Sequence, residues 1–179
     1  MGRYQLSELL DLSLAKTRAL LQLLTKKNIT QTSGQSSGRK GTQLTSLGNK
    51  ICNKILEFAT IDFELPHYIG ESLQIKKMDR RVGFIRIDQI DTTGIYERDI
   101  AIRNGAEAAI SLLYDKQKWI FPDGFVAGDE FKPLNHNKYN FASIVSGTNL
   151  GSIYNALVNI ISFHLMDKLS KILSELLEQ

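Results

Sequence analysis

A change in sequence character near residue 60 constrains this chain more than any other feature. Before it, short helical patterns and a pair of β-prone segments surround a glycine-rich stretch, and 9 Lys or Arg residues stand against 3 Asp or Glu residues. After it, strand-like alternation and one long helical pattern dominate, with 13 Lys or Arg residues against 16 Asp or Glu residues. We therefore predict two domains, residues 1–60 and 61–179, of which the first suits a polyanionic partner.

The composition narrows the class of protein. The chain has 179 residues, of which 42% are hydrophobic and 3 are proline, so it is globular rather than disordered. Cys52 is the single cysteine, which excludes an intramolecular disulfide and a cysteine metal cluster. The start of the chain lacks a signal-peptide pattern, and no uncharged run is long enough to span a membrane. We expect a cytoplasmic protein without a membrane partner.

Two short helices are predicted at the start of the chain. Residues 3–10 place leucines at helical spacing, and Ser13 is a suitable N-cap for a second helix. An apolar seam on that second helix has the spacing i, i+3, i+4, i+7 and consists of Thr17, Leu20, Leu21 and Leu24. Two short helices joined by a three-residue turn are typical of a helix-turn-helix.

The face opposite this seam is basic and polar. At about 100° per residue, it carries Arg18, Gln22 and Lys26, with Lys16 at its edge. Arg and Gln side chains suit the base edges of a DNA major groove, and Lys suits phosphates. We predict that Lys16, Arg18, Gln22 and Lys26 contact double-stranded DNA.

A hairpin and a third helix are predicted next. Residues 28–32 and 42–45 are β-prone and flank a small, basic tip, residues 33–41, whose Arg39 and Lys40 are placed to touch phosphates or the minor groove. The following helix has Leu47, Ile51, Ile55 and Phe58 on one face, and Cys52 is interpreted as a packing residue there.

These residues carry a family resemblance. The segment RYQLSELLDLSLAKTRALLQLL, the glycine-rich hairpin and LTSLG together resemble the winged helix-turn-helix of prokaryotic transcription regulators. Such domains usually begin with a further helix, whereas Met1 stands almost directly before the second one. The resemblance therefore implies a winged helix whose first helix is missing, or whose packing surface comes from another segment.

The second domain is predicted to be α+β. Strands are expected over residues 74–77, 82–87, 108–114, 118–121 and 142–145, with turns at 79–81 and 115–117 and a polar loop over 122–140. A short helix is expected over residues 95–104, with Ile95, Ala101 and Ile102 inward and Glu97 outward, and a long helix over 150–178. This order predicts a two-layer α/β sandwich with an antiparallel sheet.

A second resemblance covers this part of the chain. The segments GIYERDIAIRNGAEAAISLLYDKQKWIFPDGF and SIVSGTNLGSI resemble the second domain of an archaeal regulator-like family of unknown function. In that family a winged helix precedes an α+β domain similar to the GAD-like insert domain of some aspartyl-tRNA synthetases and amidotransferase subunits. The resemblance implies a fold and a regulator-like architecture, but no activity.

Two features of the second domain suggest a small anionic ligand. Ser146, Gly147, Thr148 and Asn149 connect a strand to the long helix, so their backbone N–H groups are candidates to bind a phosphate, with helix capping as the alternative. Arg98 and Arg103 are candidates to line the same kind of pocket, with a solvated helix face as the alternative.

Sequence motifs for catalysis or metal binding are absent. His67, His136 and His164 are far apart and lack metal-ligand spacing, so we expect no metal and no cofactor. The chain contains no G-x-S-x-G, H-E-x-x-H or G-x-G-x-x-G motif.

The long final helix suggests dimerisation. Its 29 residues would extend roughly 43 Å, more than a small sheet needs, so its apolar end is expected to pair with a second copy or to cover the position of the missing first helix. Our main hypothesis is a homodimeric, DNA-binding transcription regulator whose second domain dimerises and senses a ligand. One alternative is an enzyme with an appended winged helix that acts on a phosphorylated or nucleotide metabolite; archaeal riboflavin kinases have this architecture, but their kinase signature is absent from this sequence. The other alternative is a protein-interaction adaptor.

Overall fold

The chain forms two compact units in a computed structural model. The structure describes residues 2–33, 41–62, 78–88, 92–134 and 138–177. Unit 1 comprises Met1–Leu56 together with Asp167–Gln179, and unit 2 comprises Glu57–Met166.

The described residues in the N-terminal part of unit 1 form three helices and a two-stranded hairpin. In chain order these are α1 (Arg3–Leu9), α2 (Leu14–Lys26), β1 (Thr30–Ser33), β2 (Gly41–Leu44) and α3 (Ser46–Ile55). The hairpin is antiparallel, with Thr30 opposite Leu44 and Ser33 opposite Gly41. The predicted helices and the strands that flank the tip are thus confirmed, except that α3 ends before Phe58.

Local hydrogen bonds explain where α2 begins and ends. The Ser13 hydroxyl accepts from the Lys16 backbone N–H, as predicted for the N-cap. Thr17 is fully buried, and its hydroxyl donates to the Ser13 carbonyl at 3.1 Å. Asn28 adopts a left-handed backbone (φ +57°) just after the helix, a conformation that Asn tolerates better than most residues.

One junction joins the end of α2 to the start of α3. The Ile29 carbonyl accepts from the Thr45 backbone N–H at 3.0 Å, and the Thr45 hydroxyl donates to the Asn28 carbonyl at 2.5 Å. The same hydroxyl accepts from the Gly48 N–H at 3.0 Å and so caps α3. Gly48 is buried, and a Cβ at this position would overlap the Ile29 carbonyl oxygen.

Unit 2 is built on a five-stranded antiparallel sheet. Its elements in chain order are β3 (Ala59–Asp62), β4 (Asp79–Ile85), α4 (Ile95–Arg103), β5 (Ala108–Asp115), β6 (Lys118–Ile120), a 3-10 helix (Asp129–Leu134), β7 (Phe141–Gly147) and α5 (Leu150–Leu177), whose last residues belong to unit 1. The strand order is β3-β4-β7-β5-β6. The protein is therefore α+β with an antiparallel sheet and a long C-terminal helix, as predicted.

The sheet of unit 2 is covered on both faces. Helices α4 and α5 lie on one face, where α5 comes so close that a Cβ on Gly83 would lie 3.1 Å from a Leu157 methyl carbon. The opposite face forms a core cluster with the segment that follows β6, including Phe131 and Leu134 of the 3-10 helix. The polar loop predicted over residues 122–140 was thus wrong in part, because apolar side chains of this segment complete the core.

Two local predictions in unit 2 have clear outcomes. Asp79-Arg80-Arg81 was predicted as a turn, but these residues pair with Gly147, Ser146 and Val145 as the first part of β4. The hairpin between β5 and β6 is confirmed, with Lys116 and Gln117 both at positive φ in a two-residue turn. The strand predicted over residues 74–77 lies outside the described residues.

We expect Gly48→Ala to destabilise unit 1 by about 1–3 kcal/mol, because the added methyl group would meet backbone atoms that cannot move independently. Hydrogen exchange of the α2 and α3 amides measures this loss. Gly147→Ala is the control, since its Cβ would have no neighbour closer than 3.6 Å. Equal losses of protection in the two variants would contradict the expectation.

Candidate functional site

The outer face of α2 is the first candidate site, and the structure leaves it open to solvent. Lys16, Arg18, Gln22 and Lys26 are all exposed. The opposite seam is partly or fully covered, since Thr17 is buried and Leu20, Leu21 and Leu24 are half-buried. The periodicity of α2 therefore assigned both faces correctly. Arg39 and Lys40 lie outside the described residues.

A groove runs along one side of α2. It encloses about 1280 Å³, and its lining comes from α1, α2 and the hairpin. Arg18 and Gln22 lie in it, whereas Lys16 and Lys26 are not among the lining residues. The described residues that line it are Gly2, Arg3, Tyr4, Gln5, Arg18, Leu21, Gln22, Thr25, Thr32, Gly41 and Thr42.

The contribution of α1 to this groove was missed in the sequence analysis. Arg3 and Tyr4 are exposed, and the Arg3 guanidinium lies 5.8 Å from the centre of the Tyr4 ring. Their position depends on the tertiary arrangement of α1 against α2, which the period of either helix alone does not reveal. The only available signal was the positive charge of Arg3 at the start of a short helix.

The Ser146–Asn149 segment is already engaged within unit 2. Ser146 and Gly147 are buried in β7. The backbone N–H and hydroxyl of Thr148 both donate to Glu107 Oε1, at 3.1 and 2.8 Å. The Asn149 side chain accepts from the Ser152 N–H at 3.1 Å and so caps α5. Helix capping was the alternative to phosphate binding for this segment.

Arg98 and Arg103 do not form a joint site on α4. Five residues at 100° each turn the helix by about 140° beyond a full turn, so the two side chains leave it in different directions. Both are exposed, and an Arg98 guanidinium nitrogen lies 3.4 Å from Asp99 Oδ1, next to it in the chain. This arrangement agrees with the alternative of a solvated helix face.

A buried hydrogen-bonded pair links α4 to α5. Glu97 is completely buried, and its Oε1 accepts from the Thr92 hydroxyl at 2.6 Å and lies 2.8 Å from His164 Nε2. The His164 ring also packs on Phe141 of β7, with 4.7 Å between ring centres. Glu97 was predicted to face solvent, with Ile95 and Ile102 inward. That orientation was wrong for these three residues, since Ile95 is 51% and Ile102 49% exposed, whereas Ala101 is buried as predicted.

The environment of Glu97 controls its ionisation. Burial raises its pKa, but the hydrogen bonds from His164 and Thr92 outweigh burial and hold the pKa below its usual value of 4.5. Glu97 Oε2, Ser111 Oγ and Ser143 Oγ are buried without a hydrogen-bond partner among the described residues. Ser111 and Ser143 are cross-strand neighbours on the sheet face that α4 and α5 cover. The pair thus belongs to a polar layer inside unit 2.

No family model and no curated protein matches this chain. The chain is similar in structure to the hypothetical protein PH0730 from Pyrococcus horikoshii OT3, with a TM-score of 0.77 and 19% sequence identity. The similarity covers 98% of this chain and 90% of that one. At this identity the likeness establishes the fold alone.

Two kinds of feature are absent from the described residues. No described helix combines the length and apolar character needed to cross a membrane. Over the same residues, no cluster of three or more His, Cys, Asp or Glu side chains is arranged to hold a metal ion. His67 and His136 lie outside the described residues.

We expect the stability of unit 2 to fall in acid. Because the native pKa of Glu97 is lowered, its carboxylate stabilises the fold above the pKa of the unfolded state, and this stabilisation disappears as the pH falls through the native pKa. The free energy of unfolding should therefore drop below about pH 4.5. Urea titrations followed by the fluorescence of the buried Trp119 measure it.

The variant Glu97→Gln should lose about 1–3 kcal/mol at neutral pH and show a shallower decline in acid. The exposed Glu175 offers a matched control, because Glu175→Gln removes the same charge outside the buried pair. Identical pH profiles for Glu97→Gln and the unmodified chain would show that the pair does not stabilise unit 2.

Proposed function

We propose that this protein binds double-stranded DNA through unit 1, as a winged helix-turn-helix transcription regulator. In this proposal α1, the turn at Asp11 and α2 form the helix-turn-helix, and β1 and β2 form the wing. The observation that carries it is the exposed basic and amide face of α2, opposite a seam that packs into unit 1. A helix that exposes such a face beside a hairpin is suited to bind the major groove of DNA.

The dimensions of α2 support this proposal. Its 13 residues extend about 20 Å, and its diameter with side chains, about 10–12 Å, matches the width of the DNA major groove. Its cationic side chains include Lys16 at the first turn and Lys26 at the last. Basic residues at both ends of a helix in the major groove are placed to meet phosphates on its two sides.

The end of α5 supports a winged helix whose packing surface comes in part from another segment of the chain. Residues from Asp167 onward belong to unit 1, and Ile172 is 6% exposed. An apolar side chain buried there is expected of a segment that packs behind a helix-turn-helix. We retain homodimerisation as part of the proposal, since two copies would read half-sites about 34 Å apart. Ligand sensing by unit 2 stays a prediction, and the residues first suggested for it are engaged within unit 2 or lie apart on α4. Arg39 and Lys40 keep their proposed role at the wing.

The enzymatic alternative receives no support from the geometry. The Thr148 donors on which it depended bind the Glu107 carboxylate, and Asn149 serves as a helix cap. An incoming phosphate would have to displace Glu107.

The direct test measures binding of a fluorescent random-sequence duplex over a salt series. We expect binding at about 50 mM salt and a linear fall of log K with log[salt]. The double variant Lys16→Ala and Lys26→Ala should bind more weakly, with a salt slope smaller by about two, because each lysine neutralises one phosphate.

The matched control is Lys118→Ala with Lys132→Ala, which removes the same charge from exposed positions in unit 2. The control should keep the slope of the unmodified chain. The proposal fails if the unmodified chain does not bind at low salt, or if both double variants lose affinity equally.

A further inference from the structure

The groove beside α2 divides the polar face of that helix into two parts. Arg18, Leu21, Gln22 and Thr25 line the groove and have the spacing i, i+3, i+4, i+7, so they form one stripe along α2. Lys26 lies about 80° from Arg18 around the helix, and Gln22 lies between them. Arg18 therefore faces the groove, whereas Gln22 stands at its border with the outermost face of α2.

The chemistry of the groove favours an anion with many acceptor oxygens. Its lining includes two guanidinium groups, those of Arg3 and Arg18, and none of its described lining residues is acidic. Thr32 and Thr42 of the hairpin and Gln5 of α1 add polar side chains. A guanidinium group offers a planar fork of N–H donors that matches a phosphate.

The shape of the groove favours one strand over a whole duplex. Its walls come from three separate segments, namely α1, α2 and the hairpin, so the space between them is concave. The surface of a double helix is convex. Only one of its two sugar–phosphate backbones can therefore enter a concave groove of this kind. The Tyr4 ring, 63% exposed at the same place, holds the Arg3 guanidinium against its face.

We propose that this groove binds the sugar–phosphate backbone of one DNA strand, with Arg3 and Arg18 on neighbouring phosphates. This inference rests on the proposed function and refines it. Arg18, which the sequence analysis assigned to bases, becomes a backbone contact. Gln22 remains the base-reading residue, and Arg3 joins the DNA-binding surface.

The experiment compares Arg3→Ala with Gln22→Ala on a panel of duplexes of different sequence. Arg3→Ala should weaken binding roughly threefold to tenfold on every duplex and reduce the salt slope by about one. Gln22→Ala should change the ranking of the duplexes and leave the slope unchanged. Arg3→Lys should keep the slope, because the charge remains.

Two controls separate binding from folding. Arg103→Ala removes an exposed arginine from unit 2 and should leave both affinity and slope unchanged. Thermal unfolding of Arg3→Ala should match the unmodified chain, since the side chain is exposed.

The outcomes distinguish this inference from the proposed function. If Arg3→Ala binds every duplex like the unmodified chain, while the Lys16 and Lys26 double variant loses affinity, the groove assignment is wrong and DNA binding stands. If Arg3→Ala changes the ranking of sequences instead, Arg3 contacts bases and the backbone assignment is overturned. If the unmodified chain binds no duplex at low salt, the proposed function fails and the groove assignment fails with it.

Discussion

The hydrogen bonds of Thr45 determine the geometry of unit 1. Its backbone N–H and hydroxyl bind the Ile29 and Asn28 carbonyls just after α2, and the same hydroxyl caps α3. Gly48 allows the first turn of α3 to lie directly against the Ile29 carbonyl. Because β1 begins at Thr30 and β2 ends at Leu44, this junction also sets the hairpin beside α2. The groove exists only as long as that arrangement holds.

The sequence predicted those features of unit 1 that depend on local interactions. The Ser13 cap, the two faces of α2 and the hairpin strands each follow from residues within one or two turns of each other. The groove is a different kind of feature, since its lining comes from α1, α2 and the hairpin. Arg18 was therefore recognised as a DNA-binding candidate while Arg3 was missed, although the two line the same groove.

Unit 2 shows why sequence patterns fail where a tertiary contact overrides them. Glu97 was expected outside because it is charged, yet His164, 67 residues away, provides the partner that permits its burial. Asp79-Arg80-Arg81 was expected in a turn for the same reason, but pairing with the end of β7 extends β4 through them. Charge alone therefore misassigned both segments. Alternation and turn residues correctly predicted β5, β6 and the antiparallel sheet.

The contacts of carboxylates explain why the proposed anion site lies in unit 1 rather than in unit 2. In unit 2 the exposed Thr148 donors already bind Glu107, and Glu97 binds Thr92 and His164. An external phosphate there would have to compete with a carboxylate held in the same chain, at high effective concentration. The groove of unit 1 has two arginines and no acidic residue among its described lining. An anion reaching it meets no internal competitor from that lining, so Arg3 and Arg18 remain available for the proposed backbone contact.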